Sequence, residues 1–110
     1  MIGKHKNGIG ILITKKSCFE GEWKGNAKVK GVEVTHQGVY KGYYAFGKRE
    51  GTGEYHRHAG DIYVGEWKAG KQHGTGLWID ELGSSYNGSW VQGKVEGMGT
   101  LSLKSKFLLI

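Results

Sequence analysis

Three polar residues spaced two apart, Glu54, His56 and His58, could supply metal-binding chemistry in this chain of 110 residues. On a β-strand they would share one face, and a carboxylate with two imidazoles is a common zinc-binding combination. A structural zinc site usually has four protein ligands, and no fourth ligand is evident nearby. The simpler interpretation is the polar, solvated end of a strand, so we predict no metal site and no cofactor.

The segment from Gly42 to Gly47-Lys48 has the spacing of a phosphate-binding loop. Such a loop holds its anion at the amino terminus of a following helix, and no helical pattern follows here. The Gly-Lys pair also recurs at residues 70–71 and 93–94, so it belongs to a repeated unit. No Ser-His-Asp order, paired carboxylates or Cys-His dyad is recognisable, and we predict that the chain is not an enzyme.

The composition indicates which kind of core the chain can build to position these residues. The chain has 21 glycines and no proline, and only 37% of its residues are hydrophobic, with four Trp and six Tyr. A thick core is difficult to build from this composition, so aromatic rings must supply most of the burial. The one cysteine, Cys18, excludes an internal disulfide. Neither a signal peptide nor an apolar run of membrane-spanning length is visible, and the simplest expected compartment is the reducing cytoplasm.

Glycines and aromatic residues recur together at a fixed spacing. The segments that begin at Tyr40, Tyr63 and Tyr86 start at intervals of 23 residues and match at every glycine of the pattern. A related segment begins at Phe19. Repeats of this length are typical of elongated arrays of small units. The predicted units are three regular repeats, one degenerate repeat and one partial repeat, at residues 40–55, 63–78, 86–101, 19–34 and 4–12.

Each regular repeat has the period of two that is typical of a β-hairpin. Tyr63, Gly65 and Trp67 would share one face of a strand, and the bare glycine between two rings would leave space for a ring of the next repeat. Gly70 would supply the turn. Stacked hairpins would bury a continuous aromatic stripe. The structural positions of the repeats are Phe19, Gly21, Trp23, Tyr40, Gly42, Tyr44, Gly47, Gly51, Gly53, Tyr63, Gly65, Trp67, Gly70, Gly74, Gly76, Tyr86, Gly88, Trp90, Gly93, Gly97 and Gly99.

The degenerate repeat departs from the pattern at its turn and in its second half. Asn26 stands where a glycine is expected, Gly25 comes one residue early, and Lys30-Gly31-Val32 replaces the usual Gly-x-Gly. The part from Lys24 to Val34 thus departs from the register of the repeat pattern, and we expect a bulge or a longer loop there in place of a regular hairpin.

The pattern Tyr-x-Gly-x-Trp-x-x-Gly-Lys-x-x-Gly-x-Gly resembles the MORN repeat (membrane occupation and recognition nexus) over residues 40–101, and in part over residues 4–23. The resemblance implies an all-β fold, an elongated single-layer antiparallel sheet of consecutive hairpins, with residues 1–110 as one array. Members of the family are protein-binding or membrane-associated modules, found in junctional membrane proteins, phosphoinositide kinases, parasite cytoskeletal scaffolds and ciliary proteins. Residues 83–97 are similar to the repeat region of radial spoke head proteins.

We accordingly predict a noncatalytic scaffold that binds a protein partner, in a ciliary or cytoskeletal assembly. One alternative is a peripheral membrane module that binds anionic phospholipid through a basic first third, which contains seven lysines and two glutamates. Another is the regulatory segment of a larger enzyme. Nucleic acid is not favoured, because the periodic glycines explain the rings as packing between repeats. The lysines of the basic third are Lys4, Lys6, Lys15, Lys16, Lys24, Lys28 and Lys30.

The two ends of the array suggest association with another chain. The first recognisable piece is half a repeat, and the segment 104–110 ends in the apolar run Phe107-Leu-Leu-Ile110. An open sheet exposes unpaired backbone groups at its edges, which can pair with another strand. We expect edge-to-edge self-association, or pairing with a partner strand, through at least one terminal edge.

Overall fold

The computed structural model describes residues 7–104, and within them nine strands form one antiparallel sheet in chain order. No helix occurs within this part of the chain, and no helix able to cross a membrane is therefore found there. The predicted fold class, an all-β sheet of consecutive hairpins, is confirmed. The strands are β1 (Gly8–Ile13), β2 (Ser17–Lys24), β3 (Ala27–Thr35), β4 (Gly38–Ala45), β5 (Lys48–Arg57), β6 (Ile62–Lys68), β7 (Lys71–Ile79), β8 (Ser85–Val91) and β9 (Lys94–Ser102).

The sheet is long and thin. Its extents are 63 × 28 × 18 Å, and its radius of gyration is 16.4 Å, against about 13 Å for a compact domain of this size. Each strand contacts chiefly the strands beside it, so the core is a stripe of rings on one side of the sheet, here named the aromatic face. The buried rings of this face are Phe19, Trp23, Tyr40, Tyr44, Tyr63, Trp67, Tyr86 and Trp90.

The rings couple consecutive repeats through edge-to-face contacts. The first ring of one repeat meets the second ring of the next, as in Tyr40 with Trp67, whose centroids are 5.2 Å apart at an interplanar angle of 83°. Tyr63 and Trp90 repeat this contact at 5.1 Å and 81°. Such pairs add about 0.5–1.5 kcal/mol beyond the area they bury. The aromatic stripe therefore provides both the burial and the connection between repeats.

The space beside each strand glycine is filled by a ring of the same repeat. Gly65 is paired with Gly76 across the hairpin, and the ring of Tyr63 lies over both glycines. The expectation that a ring of the next repeat would fill this space was wrong. A tyrosine two residues before the glycine lies on the same face and reaches it directly. The next repeat's Trp90 instead donates its indole N–H to the carbonyl of Gly76, at 3.1 Å.

A bulge follows the paired glycines in every regular repeat and frees a carbonyl for the tyrosine. In the second regular repeat the register shifts between Gly65 and Trp67. The Tyr63 hydroxyl donates to the carbonyl of Glu66 at 2.8 Å, and the Tyr40 and Tyr86 hydroxyls make the corresponding bonds. Gly74, on the return strand, has a φ of 87°. Glycine adopts this left-handed backbone without steric cost, which explains its recurrence there.

The hairpin turns contain two residues. Lys68 and Lys71 are paired, and between them Ala69 and Gly70 both have positive φ, 51° and 89°. Two positive values are the signature of a type I′ turn, whose twist matches that of the flanking strands. The predicted glycine turns are confirmed, and the residue before each glycine also adopts the left-handed region.

The degenerate repeat is more regular than its sequence suggests. Gly25 and Asn26 form a two-residue turn with φ values of 59° and 71°, because asparagine tolerates the left-handed region better than most residues. Strand β3 pairs with both neighbours, and its register with β2 shifts between Glu22 and Trp23. The expectation of a bulge or a longer loop is therefore met by a bulge, while the turn keeps the two-residue length of the regular hairpins.

Both ends of the array are described only in part. Of the partial repeat at residues 4–12, residues 4–6 lie outside the described residues, and the remainder includes β1, which pairs with β2 over its full length. Of the segment 104–110, only Lys104 is described, and its backbone N–H bonds to the hydroxyl of Ser84 at 2.8 Å.

Candidate functional site

The residues considered for zinc binding separate in the fold. The Nε2 atom of His56 lies 3.0 Å from a carboxylate oxygen of Glu54. The ring of His58 instead contacts the carbonyl of Thr35, at 3.2 Å. Within residues 7–104, no group of three or more His, Cys, Asp or Glu side chains is arranged to hold a metal ion.

The lysines of the first third do not form one patch. Lys15 and Lys16 lie in the turn between β1 and β2, whereas Lys24 lies at the opposite end of β2. Lys28 is on the aromatic face, with its ammonium 4.7 Å from the ring centroid of Phe19. Lys30 pairs with Glu22 of the neighbouring strand. Lys4 and Lys6 lie outside the described residues. The described members therefore occupy both ends of the hairpin as well as its surface.

A second row of lysines follows from the repeat itself. Lys48, Lys71 and Lys94 each come directly after a type I′ turn, so all three lie along the same long side of the sheet, here named the turn rim. Successive members are separated by two strands, or about 10 Å. Lys71 also lines a shallow surface cleft with Lys68 and His73. The recurring Gly-Lys pair is the signal of this row in the sequence.

The aromatic face carries a partly buried ion pair that the sequence did not reveal. The guanidinium of Arg49 lies 3.4 Å from a carboxylate oxygen of Glu33, and each side chain is 18% exposed. The same oxygen accepts the hydroxyl of Tyr44 at 2.9 Å. Glu33 and Arg49 occupy variable positions of two different repeats, so no motif in the sequence marked them as partners.

Arg49 is also surrounded by rings. Its guanidinium carbon lies 4.7 Å from the centroid of Tyr40, 4.6 Å from that of Tyr55 and 5.4 Å from that of Trp67. A cation within about 6 Å of an aromatic face is attracted by the negative charge of that face. The aromatic face thus combines apolar burial with specific recognition of a positive group.

Three tyrosine hydroxyls of this face, those of Tyr40, Tyr44 and Tyr63, have a raised pKa and remain protonated well above neutral pH. Burial raises the pKa of Tyr40 to about 12, although the charge of Arg49 acts to lower it. Burial likewise raises the pKa of Tyr63 to about 12. Burial, followed by the bond to Glu33, raises the pKa of Tyr44. These hydroxyls are therefore hydrogen-bond donors that fix the rings in place.

The arrangement as a whole is suited to recognition. The packed rings, two of them only partly buried at Tyr55 and Trp78, lie on one side of a single sheet. The indole N–H of Trp78 donates to the carboxylate of Asp61 at 3.0 Å. Aromatic rings and arginine are the side chains most enriched at protein interfaces.

Comparison with known sequences agrees with this architecture. The sequence pattern of the MORN repeat matches four segments, residues 19–38, 40–62, 63–80 and 86–105, which together span most of the chain. Comparison with curated proteins gives no match. The four matched segments begin at Phe19, Tyr40, Tyr63 and Tyr86, the residues whose rings lie over the paired glycines. The chain therefore belongs to the MORN-repeat family.

Proposed function

We propose that this protein is a noncatalytic scaffold that binds a protein partner through its aromatic face. MORN repeats are in general protein- or membrane-interaction modules. The observation that carries the proposal is the combination of partly exposed rings at Tyr55 and Trp78 with the Glu33–Arg49 pair, whose arginine lies over Tyr55. Rings held rigidly lose little entropy on binding, and a partly buried charged pair gives the surface specificity.

Affinity capture with matched variants tests the proposal. Trp78→Leu removes a ring of the aromatic face, and Val64→Ala changes an exposed side chain on the other face of the sheet. Partners identified by mass spectrometry with the unaltered chain should be lost with Trp78→Leu and retained with Val64→Ala. Circular dichroism checks that both variants fold. Equal capture by the two variants would refute binding through the aromatic face.

The proposed setting is a ciliary or cytoskeletal assembly, with the protein in the cytoplasm. Its support is the similarity of residues 83–97 to the repeat region of radial spoke head proteins. Fluorescent tagging in ciliated cells of the source organism should place the protein along the axoneme or another filament system. A uniform cytoplasmic signal would refute this setting. If the complete coding sequence contains a catalytic domain, the alternative of a regulatory segment in a larger enzyme replaces the ciliary or cytoskeletal setting.

A second candidate function is binding to anionic phospholipid, and the turn rim is the observation that favours it. Lys48, Lys71 and Lys94 recur along one side, whereas the described lysines of the first third are dispersed. Sedimentation with phosphatidylserine vesicles should show binding that weakens between about 0.01 and 0.15 M salt, because screening shortens from roughly 30 to 8 Å. Changing the three lysines to Glu should abolish it. Binding that survives both changes would refute this candidate.

For the edge strand β1, we propose edge-to-edge association of two copies of the chain. Within residues 7–104 this strand has one neighbour, β2. Ile9 and Ile13 lie on its side opposite the rings and are 72% and 73% exposed. Sedimentation over a range of concentrations should show a dimer that Ile9→Lys with Ile13→Lys weakens, as charges on an edge strand oppose pairing. Comparison with a chain that ends at Lys104 tests the apolar terminal segment in the same way. Monomers at every concentration would refute the idea.

A further inference from the structure

The rings around Arg49 form a box, and the positions of these rings recur in other repeats. Strand pairing relates the positions to one another. Arg49 is paired with Tyr44 across its hairpin, and the box consists of Tyr40, Tyr55 and Trp67. Tyr55 lies beside Tyr40 in its own hairpin, and Trp67 comes from the next repeat. The occupant is therefore always the residue that is paired with the second ring of its own repeat.

The preceding repeat fills the equivalent position with its own cation. Lys28 is paired with Trp23, as Arg49 is with Tyr44. Its ammonium lies 4.7 Å from the centroid of Phe19 and 5.3 Å from that of Tyr44. Two consecutive repeats thus place an internal positive charge against the rings of the aromatic face.

The next repeat has the rings but not the cation. Its equivalent rings are Tyr63, Trp78 and Trp90, and Gln72 is paired with Trp67 in the position of the cation. Tyr63 and Trp90 meet at 5.1 Å and 81°, which matches the corresponding contact of the occupied box.

The side chain of Gln72 is directed toward the hairpin turn of the following repeat. Its amide oxygen lies 3.6 Å from the position that a Cβ on Gly93 would take. Trp78, the ring that corresponds to Tyr55, is only partly buried, so one wall of this box remains accessible.

A carboxylate lies beside the open ring of the second box. The carboxylate of Asp61 accepts the indole N–H of Trp78 with one oxygen, pairs with the guanidinium of Arg57 at 3.3 Å through the other, and is 15% exposed as a side chain. The surrounding stretch, residues 61–100, contains three lysines and five acidic residues. The occupied box is similar in having the carboxylate of Glu33 against its arginine.

The final repeat does not form a third box. Val95 stands in the position of the cation, paired with Trp90, and Leu101 stands where Tyr55 and Trp78 stand in the earlier repeats. A branched aliphatic side chain has no aromatic face to attract a cation. Within residues 7–104, the box of Tyr63, Trp78 and Trp90 is therefore the one that has three rings without an internal cation.

We propose that this box binds an arginine side chain of the protein partner, in the place that Arg49 takes in the preceding repeat. The proposal rests on the proposed function, since it takes the aromatic face as the protein-binding surface. The array supplies the comparison, because rings at the equivalent positions of the preceding repeat already hold the guanidinium of Arg49. A planar guanidinium stacks on aromatic faces and loses less hydration than an ammonium when it does so.

Nuclear magnetic resonance of the intact, ¹⁵N-labelled chain tests this site directly. The probe is the end-blocked peptide Gly-Gly-Arg-Gly-Gly, and the neutral control is the same peptide with citrulline in place of arginine. The chain has four tryptophans, so each indole N–H signal can be followed separately. We expect the arginine peptide to shift the signals of Trp78 and Trp90, with little change at Trp23 and Trp67, and the citrulline peptide to bind at least about tenfold more weakly. Equal shifts with both peptides would overturn the proposal.

Two exchanged variants make the test specific to the box. Gln72→Arg places an internal guanidinium in the box and should weaken peptide binding about tenfold or more. Arg49→Gln empties the occupied box and should make the Trp67 signal respond to the peptide. An unchanged response of Trp78 in Gln72→Arg, or no response of Trp67 in Arg49→Gln, would overturn the proposal, and each variant is first checked for native melting.

The outcome is separable from that of the proposed function. If the arginine peptide binds as expected but Trp78→Leu still captures the cellular partners, the box is present and the aromatic face is not the scaffold's main binding surface. If Trp78→Leu loses the partners while the arginine and citrulline peptides behave alike, the scaffold function stands and the box proposal is wrong.

Discussion

Replacing Gly65 with valine should destabilise the sheet strongly, because no space exists for a side chain at this position. A Cβ built on Gly65 would lie 2.5 Å from the Cα of Gly76, 2.6 Å from the carbonyl oxygen of Thr75 and 2.8 Å from the hydroxyl of Tyr63. The first two neighbours are backbone atoms of the paired strand and cannot rotate away. Valine would therefore have to separate β6 from β7 or displace the tyrosine ring.

The magnitude follows from three contributions. Overpacking a tight contact costs about 1–3 kcal/mol. Displacing the Tyr63 hydroxyl from the Glu66 carbonyl costs about 0.5–1.5 kcal/mol more. Replacing a strand glycine recovers about 0.5–1 kcal/mol of chain entropy. The free energy of unfolding should fall by about 2–3 kcal/mol, which lowers the melting temperature of a domain of this size by roughly 10 °C.

Thermal and urea unfolding, followed by tryptophan fluorescence, measure the effect. The matched control is Ala69→Ser, since Ala69 is exposed in the turn of the same hairpin and the added hydroxyl has room. The control should change the stability by less than about 0.5 kcal/mol. Comparable losses in the two variants would show that the paired glycines are not a close-packed contact, and the packing argument would fail.

Three further outcomes are expected. Tyr63→Phe should lower the free energy of unfolding, measured with urea, by about 1 kcal/mol, because the bond from the Tyr63 hydroxyl to the Glu66 carbonyl is lost. Phe19→Tyr should give no gain in stability, because Glu22, the residue at the acceptor position, is in register with Lys30. A gain from Phe19→Tyr as large as the loss from Tyr63→Phe would contradict this. Ala69→Gly should raise stability by about 0.5 kcal/mol by relieving a φ of 51°, and a loss would count against the type I′ turn. Unfolding by alkali should begin between about pH 10 and 12, because the folded pKa of Tyr63 is raised from 10.0 to about 12 and the stabilisation is lost as pH rises through that range; stability that is constant to pH 12 would contradict it.

Much of the fold could be predicted because the sequence repeats it. The period of two around Gly65 and the glycine at each turn specify hairpins, and the recurrence specifies their order. The ring that covers each glycine pair was assigned to the wrong repeat, because spacing along the chain cannot distinguish a ring two residues away from one a repeat away. The bulge was also invisible, since Gly74 and Gly76 are alike in sequence but differ in φ.

The candidate site could be predicted only as a set of rings. Glu33 and Arg49 meet because β3 pairs with β4 and β4 with β5, and the bulges decide which residue faces the second ring. A shift of one residue in the bulge between β4 and β5 would turn Arg49 to the other side of the sheet. The vacant box at Trp78 depends on the same register, so it too required the structure.

The degenerate repeat shows why its departures are compatible with the fold. Its first ring is Phe19, which covers Gly21 and Gly31 as a tyrosine would but has no hydroxyl to satisfy. Its bulge is correspondingly shorter: Val29 is the single extra residue, whereas the regular repeats have two extra residues at this point. Because no carbonyl has to be freed for a hydroxyl, no left-handed glycine is needed in this strand. The loss of the hydroxyl and the lost Gly-x-Gly are therefore one change, and the shorter bulge accounts for one of the two residues by which the spacing to Tyr40 is shortened. The second is lost after Gly31, which still pairs with Gly42, so the rings stay in line across the junction between repeats.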